Sequence, residues 1–88
     1  MTKITFAENA WEEYLAWQLL DKKILKKIND LLKDIQRQPF TGLGKPEPLK
    51  GEDSDKWSRR INDKDRLVYM LAQDTIVVLQ CKGHYNDK

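Results

Sequence analysis

Between Pro39 and Trp57 the apolar residues of this chain change their spacing from three-and-four to two, and no other feature limits the fold so narrowly. Before the break, Ile24, Leu25, Ile28, Leu31, Leu32 and Ile35 fall on one side of a helix, with Lys22, Lys26, Asn29, Lys33 and Arg37 on the other. Asp21 supplies an N-cap. Gln38-Pro39 stops the helix, because proline has no N–H for the ladder. After the break, Trp57–Ile61, Arg66–Leu71 and Thr75–Lys82 read as strands, separated by turns at Asn62–Asp65 and Ala72–Asp74. Strands joined by such short turns run antiparallel.

The start of the chain adds two more elements. Lys3–Phe6 reads as a short strand with Ile4 and Phe6 on one side. Thr5, followed three residues later by Glu8, fits a capping box that opens a helix. In that helix Ala7, Ala10, Trp11, Tyr14, Leu15 and Gln18 recur at helical spacing and are expected to face the core, while Trp17 falls off their line. At helical spacing these aromatics are core residues before they are a nucleic-acid platform. The expected architecture is α+β: two N-terminal helices packed on one face of a twisted, mainly antiparallel sheet of four to five strands. Residues 1–88 are read as a single domain.

Composition narrows the function classes. No apolar run approaches the ~20 residues that span a bilayer, and Met1-Thr2-Lys3-Ile4 opens without the apolar core of a secretion signal. A lone Cys fits a reducing cytoplasm, and one Cys with one His leaves no Cys/His zinc cluster. The net charge of +2 is spread along the chain rather than gathered. That is not the footprint of a protein that binds nucleic acid by bulk electrostatics, so any RNA must be met by a few placed cations or presented by a larger assembly.

All three prolines lie in Pro39–Lys50, the one long connection, which the acidic Gly51–Asp55 tip continues. Within it, Glu47 stands between Pro46 and Pro48, with Lys45 and Lys50 on either side. Proline fixes its own φ and drives the preceding residue toward extended backbone, so Glu47 is held stiffly. Such a loop serves as an ordinary turn, or it aims a carboxylate. Register decides which residues could join it. With Trp57 and Ile61 facing the helices, Ser58 and Arg60 face away; with Leu67, Tyr69 and Leu71 inward, Arg66 points out. With Leu79 and Cys81 inward, Gln80, Lys82 and His84 point out. Arg59 breaks the alternation of its strand and takes no role in this reading.

Glu47, Arg60, Arg66 and His84, with Lys50 near, are the parts of an RNA phosphodiesterase that needs no metal or other cofactor. A carboxylate takes the proton of a ribose 2′-OH as it attacks phosphorus. Guanidinium groups stabilise the charge gathering on the phosphorane. A histidine titrating near neutrality protonates the departing 5′-oxygen. On pattern alone, each of these residues also reads as a surface charge or tail residue, and a binding module with a polar groove fits as well.

Gly44-Lys45-Pro46-Glu47-Pro48-Leu49-Lys50, Trp57-Ser58-Arg59-Arg60-Ile61, Arg66-Leu67-Val68-Tyr69 and a final His84-Tyr85 together resemble the YoeB/Txe toxins of the RelE superfamily. The resemblance covers nearly the whole chain. It implies a ribosome-dependent mRNA endoribonuclease that cuts in the ribosomal A site, leaves a 2′,3′-cyclic phosphate and stops translation. It implies Glu47 as general base, His84 as general acid and Arg66 as transition-state stabiliser. Lys50, Arg60 and Lys45 are implied as phosphate contacts, and Tyr85 as an aromatic that positions RNA. The implied partners are mRNA, the ribosome, a YefM/Axe-type antitoxin, a second toxin copy and, through the antitoxin alone, operator DNA. The rival within the same superfamily is a non-catalytic inhibitor or an antitoxin-binding module. This chain departs from the family at four places: Ala7 stands where a Ser cap is usual, the 52–55 tip is acidic, residues 86–88 extend the end, and Gly83 is expected to loosen the backbone before His84.

Overall fold

The computed structural model describes residues 2–51 and 55–83, so the 52–54 tip and the chain end from His84 lie outside the described residues. The two helices, α1 (Glu8–Leu20) and α2 (Lys22–Arg37), are joined by one residue. Asp21 donates its N–H to the Trp17 carbonyl at 3.0 Å, ending α1, and its carboxylate accepts from the N–H groups of Lys23 and Ile24, starting α2. An acceptor there satisfies N–H groups that a first turn otherwise leaves bare, worth about 1 kcal/mol. Along α2 the expected stripe holds: Ile28, Leu31, Leu32 and Ile35 are buried, and Ile24 and Leu25 pack at the core's edge. Each buried side chain of this kind contributes roughly 1.5–3 kcal/mol.

Helix α1 sits differently from its expected line. The residues it buries are Ala10 and Trp17, while Trp11 and Leu15 are 46% and 40% exposed and Gln18 is exposed. The reason is polar. Asn9, Glu13 and Trp17, four residues apart on one side of the helix, donate to Leu79 O, accept from Cys81 N–H and donate to Cys81 O, respectively. Those bonds turn α1 so that Trp17 meets the sheet and Trp11 is left in an edge trio with Phe6 and Tyr14. The capping box does not form either. Thr5 is an exposed strand residue, and Ala7 is the N-cap with no side-chain bond.

The sheet comprises β1 (Lys3–Phe6), β2 (Glu47–Pro48), β3 (Lys56–Arg60), β4 (Arg66–Ala72) and β5 (Thr75–Gln80), in the order β1-β5-β4-β3-β2. Among the described residues only β1 and β5 pair in parallel; the other neighbours are antiparallel. Ile61, Leu67, Tyr69, Ile76, Val78 and Cys81 meet the helices in one core, with Ile4, Phe6 and Trp57 at its margin. Leu71, expected inside, is 36% exposed and outside that core.

Strand β5 corrects the expected alternation. Tyr69 pairs with Val78, yet Val68 pairs with Gln80, so Leu79 is an extra residue in a β-bulge. Ile76 and Val78 therefore point inward and Leu79 does not join the core. Beyond the bulge the faces exchange, which puts Gln80 outward and Cys81 inward, as the pattern had indicated for the wrong strand geometry. The Leu79 carbonyl, in the bulge, accepts from Asn9, and Glu13 takes the N–H of Cys81 just past the end of β5. Among the described residues no helix is long and apolar enough to cross a membrane.

Candidate active site on the sheet face away from the helices

Arg59, given no role by the pattern, anchors the loop that carries Glu47. It faces the helices on β3 and is 0% exposed. A guanidinium buried that deeply must spend its donors on protein, and this one does. Nη1 donates to Asp34 Oδ2 at 2.6 Å and to Leu43 O; Nη2 donates to Gln38 O and Thr41 O; Nε donates to the Tyr69 hydroxyl. The Tyr69 hydroxyl in turn donates to Pro39 O at 2.7 Å. Residues 38–43 are thus tied to the end of α2 and to β3–β4 through one side chain. The Leu43 N–H donating to Asp34, reinforced by Arg59 and Gln38, holds the Asp34 carboxyl down at about 2 against the opposing effect of burial. Burial raises the Tyr69 phenol above its ordinary value.

The loop then turns on Gly44. Its φ is +78°, and an added Cβ would stand 3.0 Å from Arg60 O and from Leu31 Cδ2. That φ and that tight approach favour glycine, and here Arg60 N–H donates to Gly44 O at 2.7 Å. Lys45 follows with φ +52°, a left-handed conformation in a residue that precedes proline. From there Glu47 and Pro48 pair with Ser58 and Trp57 as the edge strand β2, where a proline costs no ladder bond on its outer side.

Pairing fixes what shares a face with Glu47. Ser58 lies opposite it, then Val68 and Gln80, in one row across four strands. Arg60 is two residues along β3 from Ser58 and so diagonal to Glu47, a separation of about 7–8 Å. Arg66 lies directly opposite Arg60. Two like charges in facing positions repel, which disfavours the sheet unless an anion sits between them. Arg60 and Glu47 are exposed and Arg66 half-buried. The helices pack on the opposite face, while Ser58 and Val68, in the row beside Glu47, are themselves buried.

Arg66 is held in place by the turn before it. Its Nη1 donates to Asn62 O at 2.7 Å and to Asp65 O at 3.2 Å. Its backbone N–H donates to Gly83 O at 3.0 Å, bringing the base of the chain end to the same corner. Gly83 is not loosened there. Its φ of +90° suits glycine, its N–H donates to Asp65 Oδ1 at 2.7 Å, and its carbonyl also accepts from Gln80 Nε2 at 2.9 Å.

Of the residues singled out in the sequence, Glu47, Arg60 and Arg66 share this face, and Lys45 and Lys50 are exposed beside β2. His84 and Tyr85 lie outside the described residues. Arg59, Asp34, Asp65 and Gln80 had been given no role. The signal for the first was the break in alternation itself, since a charge between Trp57 and Ile61 on the inward face requires a buried carboxylate. Among the described residues no three His, Cys, Asp or Glu side chains gather as a metal-holding group.

Two helices laid over one face of this five-stranded sheet, with Arg60 and Arg66 on the other, define a RelE-like toxin fold. Residues 6–85 match the family described as the YoeB-like toxin of bacterial type II toxin–antitoxin systems. Toxin YoeB of Escherichia coli (strain K12) is 51% identical over 83 residues, which cover 94% of this chain and 99% of that protein. The YoeB dimer from Staphylococcus aureus superposes with a TM-score of 0.89 at 47% identity, covering 96% of this chain and 98% of that one. A heterotetrameric YoeB–YefM toxin–antitoxin complex from the same organism gives 0.88 at 46%, covering 97% and 99%. The chain belongs to the YoeB-like toxins of type II toxin–antitoxin systems.

Proposed function

We propose that this toxin is a ribosome-dependent mRNA endoribonuclease that works by general acid–base catalysis in the A site. The observation that carries the reading is the register placing Glu47 diagonal to Arg60 and Arg60 opposite Arg66 on the face away from the helices. A phosphodiester lying over that corner has a carboxylate on one side and two guanidinium groups beneath. Glu47 takes the proton from the 2′-OH as the 2′-oxygen bonds to phosphorus. Arg66, with Arg60, stabilises the charge on the non-bridging oxygens. His84, one residue past Gly83, gives its proton to the 5′-oxygen as the P–O5′ bond breaks. The products are a 2′,3′-cyclic phosphate and a 5′-hydroxyl.

Lys45, Lys50 and Tyr85 hold flanking phosphate and base. The modest net charge of +2 agrees with an RNA presented by the ribosome rather than captured from solution. The neutralising partner is a YefM/Axe-type antitoxin, which also carries the operator DNA contacts, and the toxin pairs with a second copy; the S. aureus YoeB relatives assemble with YefM and as a dimer. Primer extension on mRNA with purified ribosomes tests the reading. Toxin-dependent cuts whose 5′ fragments end in a cyclic phosphate are expected. Fragments ending in a 3′-hydroxyl contradict 2′-OH attack, and cutting that is independent of ribosomes contradicts the presentation of the RNA.

A further inference from the structure

The corner where Arg66 meets Gly83 contains two side chains that the catalytic reading leaves unused. Asp65 is 7% exposed, an unusual depth for a carboxylate in a turn. Its Oδ1 accepts the Gly83 N–H at 2.7 Å, the short distance of a charge-assisted bond. The turn that carries it is closed by its own hydrogen bonds. Asn62 Oδ1 accepts from the N–H groups of Lys64 and Asp65, and Asp65 O accepts from Ile61 N–H and from Arg66 Nη1. Gln80, outward because of the bulge, donates to Gly83 O beside the Arg66 N–H. Every hydrogen-bonding group of the Gly83 backbone is therefore taken, and the segment leading to it is tied at Cys81 by Glu13 and Trp17. One turn thus fixes both the Arg66 guanidinium and the last backbone position before His84.

We propose, resting on the endoribonuclease reading above, that Asp65 and Gln80 are positioning residues for His84. They set the point and direction from which the proposed acid leaves the scaffold, in fixed relation to Arg66. They touch neither RNA nor the reacting atoms. A displacement of an acid by about 1 Å costs up to roughly a hundredfold in rate, and the whole acid is worth about 10²–10⁴, so the clamp is expected to govern proton delivery without governing binding.

The test is single-turnover cleavage of ribosome-bound mRNA by full-length toxin, with one scissile linkage made either with the natural 5′-oxygen or with a bridging 5′-sulfur. A thiolate departs without a proton, so a defect in the acid disappears on the sulfur substrate while a general defect does not. On the oxygen substrate Asp65→Ala is expected to lower the rate roughly ten- to a hundredfold at a half-saturating concentration within about twofold of wild type. On the sulfur substrate it is expected to cut within about threefold of wild type, and Asp65→Asn, whose amide oxygen still accepts the Gly83 N–H, to recover most of the oxygen rate. Gln80→Leu is expected to show the same split more weakly, and it decides the matter if Asp65→Ala melts too low to assay. Equal slowing on both substrates, or no slowing on either, overturns the positioning role while leaving the endoribonuclease reading intact. Failure of His84→Gln to show the split, in a wild type that does cut, removes the acid assignment and the clamp with it.

Discussion

Asp34→Asn removes the negative charge facing a fully buried guanidinium and changes almost nothing in volume. Arg59 is 0% exposed and Asp34's side chain is 10% exposed, so water does not replace the lost partner. Breaking one side of a buried ion pair costs about 3–5 kcal/mol. The asparagine oxygen still accepts one of the bonds from Leu43 or Arg59, which places the expected loss near the lower end, about 3 kcal/mol. A domain of this size has roughly 4–13 kcal/mol to lose, so the variant folds but with a melting temperature lower by roughly 12–25 °C. Urea unfolding followed by tryptophan fluorescence reads the change as a lower midpoint at an unchanged slope. pH supplies a second check of the same charge. The folded pKa of Asp34 lies below its ordinary 3.8, at about 2, so its contribution is present in full above 3.8 and lost as pH falls toward 2. Wild type and Asp34→Asn are therefore expected to converge across that interval. Equal midpoints at neutral pH, or a difference that survives acidification to about 2, refute the role given to the pair.

Three further outcomes follow from particular positions. Gly44→Ala is expected to cost at least about 1–2 kcal/mol in a thermal melt, because its φ of +78° strains an L residue and a Cβ would crowd Arg60 O at 3.0 Å. The Cys81 thiol, 0% exposed and pushed by burial, then by the charges of Glu13 and Asp65, up to about 12, is expected to ignore alkylating reagent at mildly alkaline pH until denaturant is added. Labelling of the native protein at the unfolded rate contradicts that burial. Arg59→Lys is expected to destabilise by roughly 2–4 kcal/mol in urea, since an ammonium cannot reach Asp34, Tyr69 and three carbonyls at once.

Much of the fold was legible because one face of an element carried its apolar residues. Helix α2 is of that kind, and Asp21 announced its cap; the strands of the meander showed in their turns and period of two, though not the facing of Leu71 and Leu79. Helix α1 was not, because backbone groups on a neighbouring strand, reached by Asn9, Glu13 and Trp17, decide its rotation. No local pattern reports the bulge at Leu79 or the strand end before Cys81, where those groups lie. For the candidate site, strand register was enough to put Arg60 and Arg66 on one face, but not Glu47, whose place there depends on the pairing of β2 that a proline-rich loop does not announce. What holds them there was hidden. The five bonds of Arg59 join residues far apart in the chain, and Asp65 meets Gly83 only once β4 and β5 have paired.

In the proposed mechanism Glu47 and Arg66 act in one reaction on RNA held by the ribosome. Its most direct measurement is the single-turnover cleavage rate of ribosome-bound mRNA by wild type, Glu47→Gln and Arg66→Ala, each with an unchanged circular dichroism spectrum. Loss of at least roughly tenfold in each variant is predicted, as removal of a general base or of a transition-state contact requires. Full activity in either variant contradicts the account and takes that residue out of the chemistry.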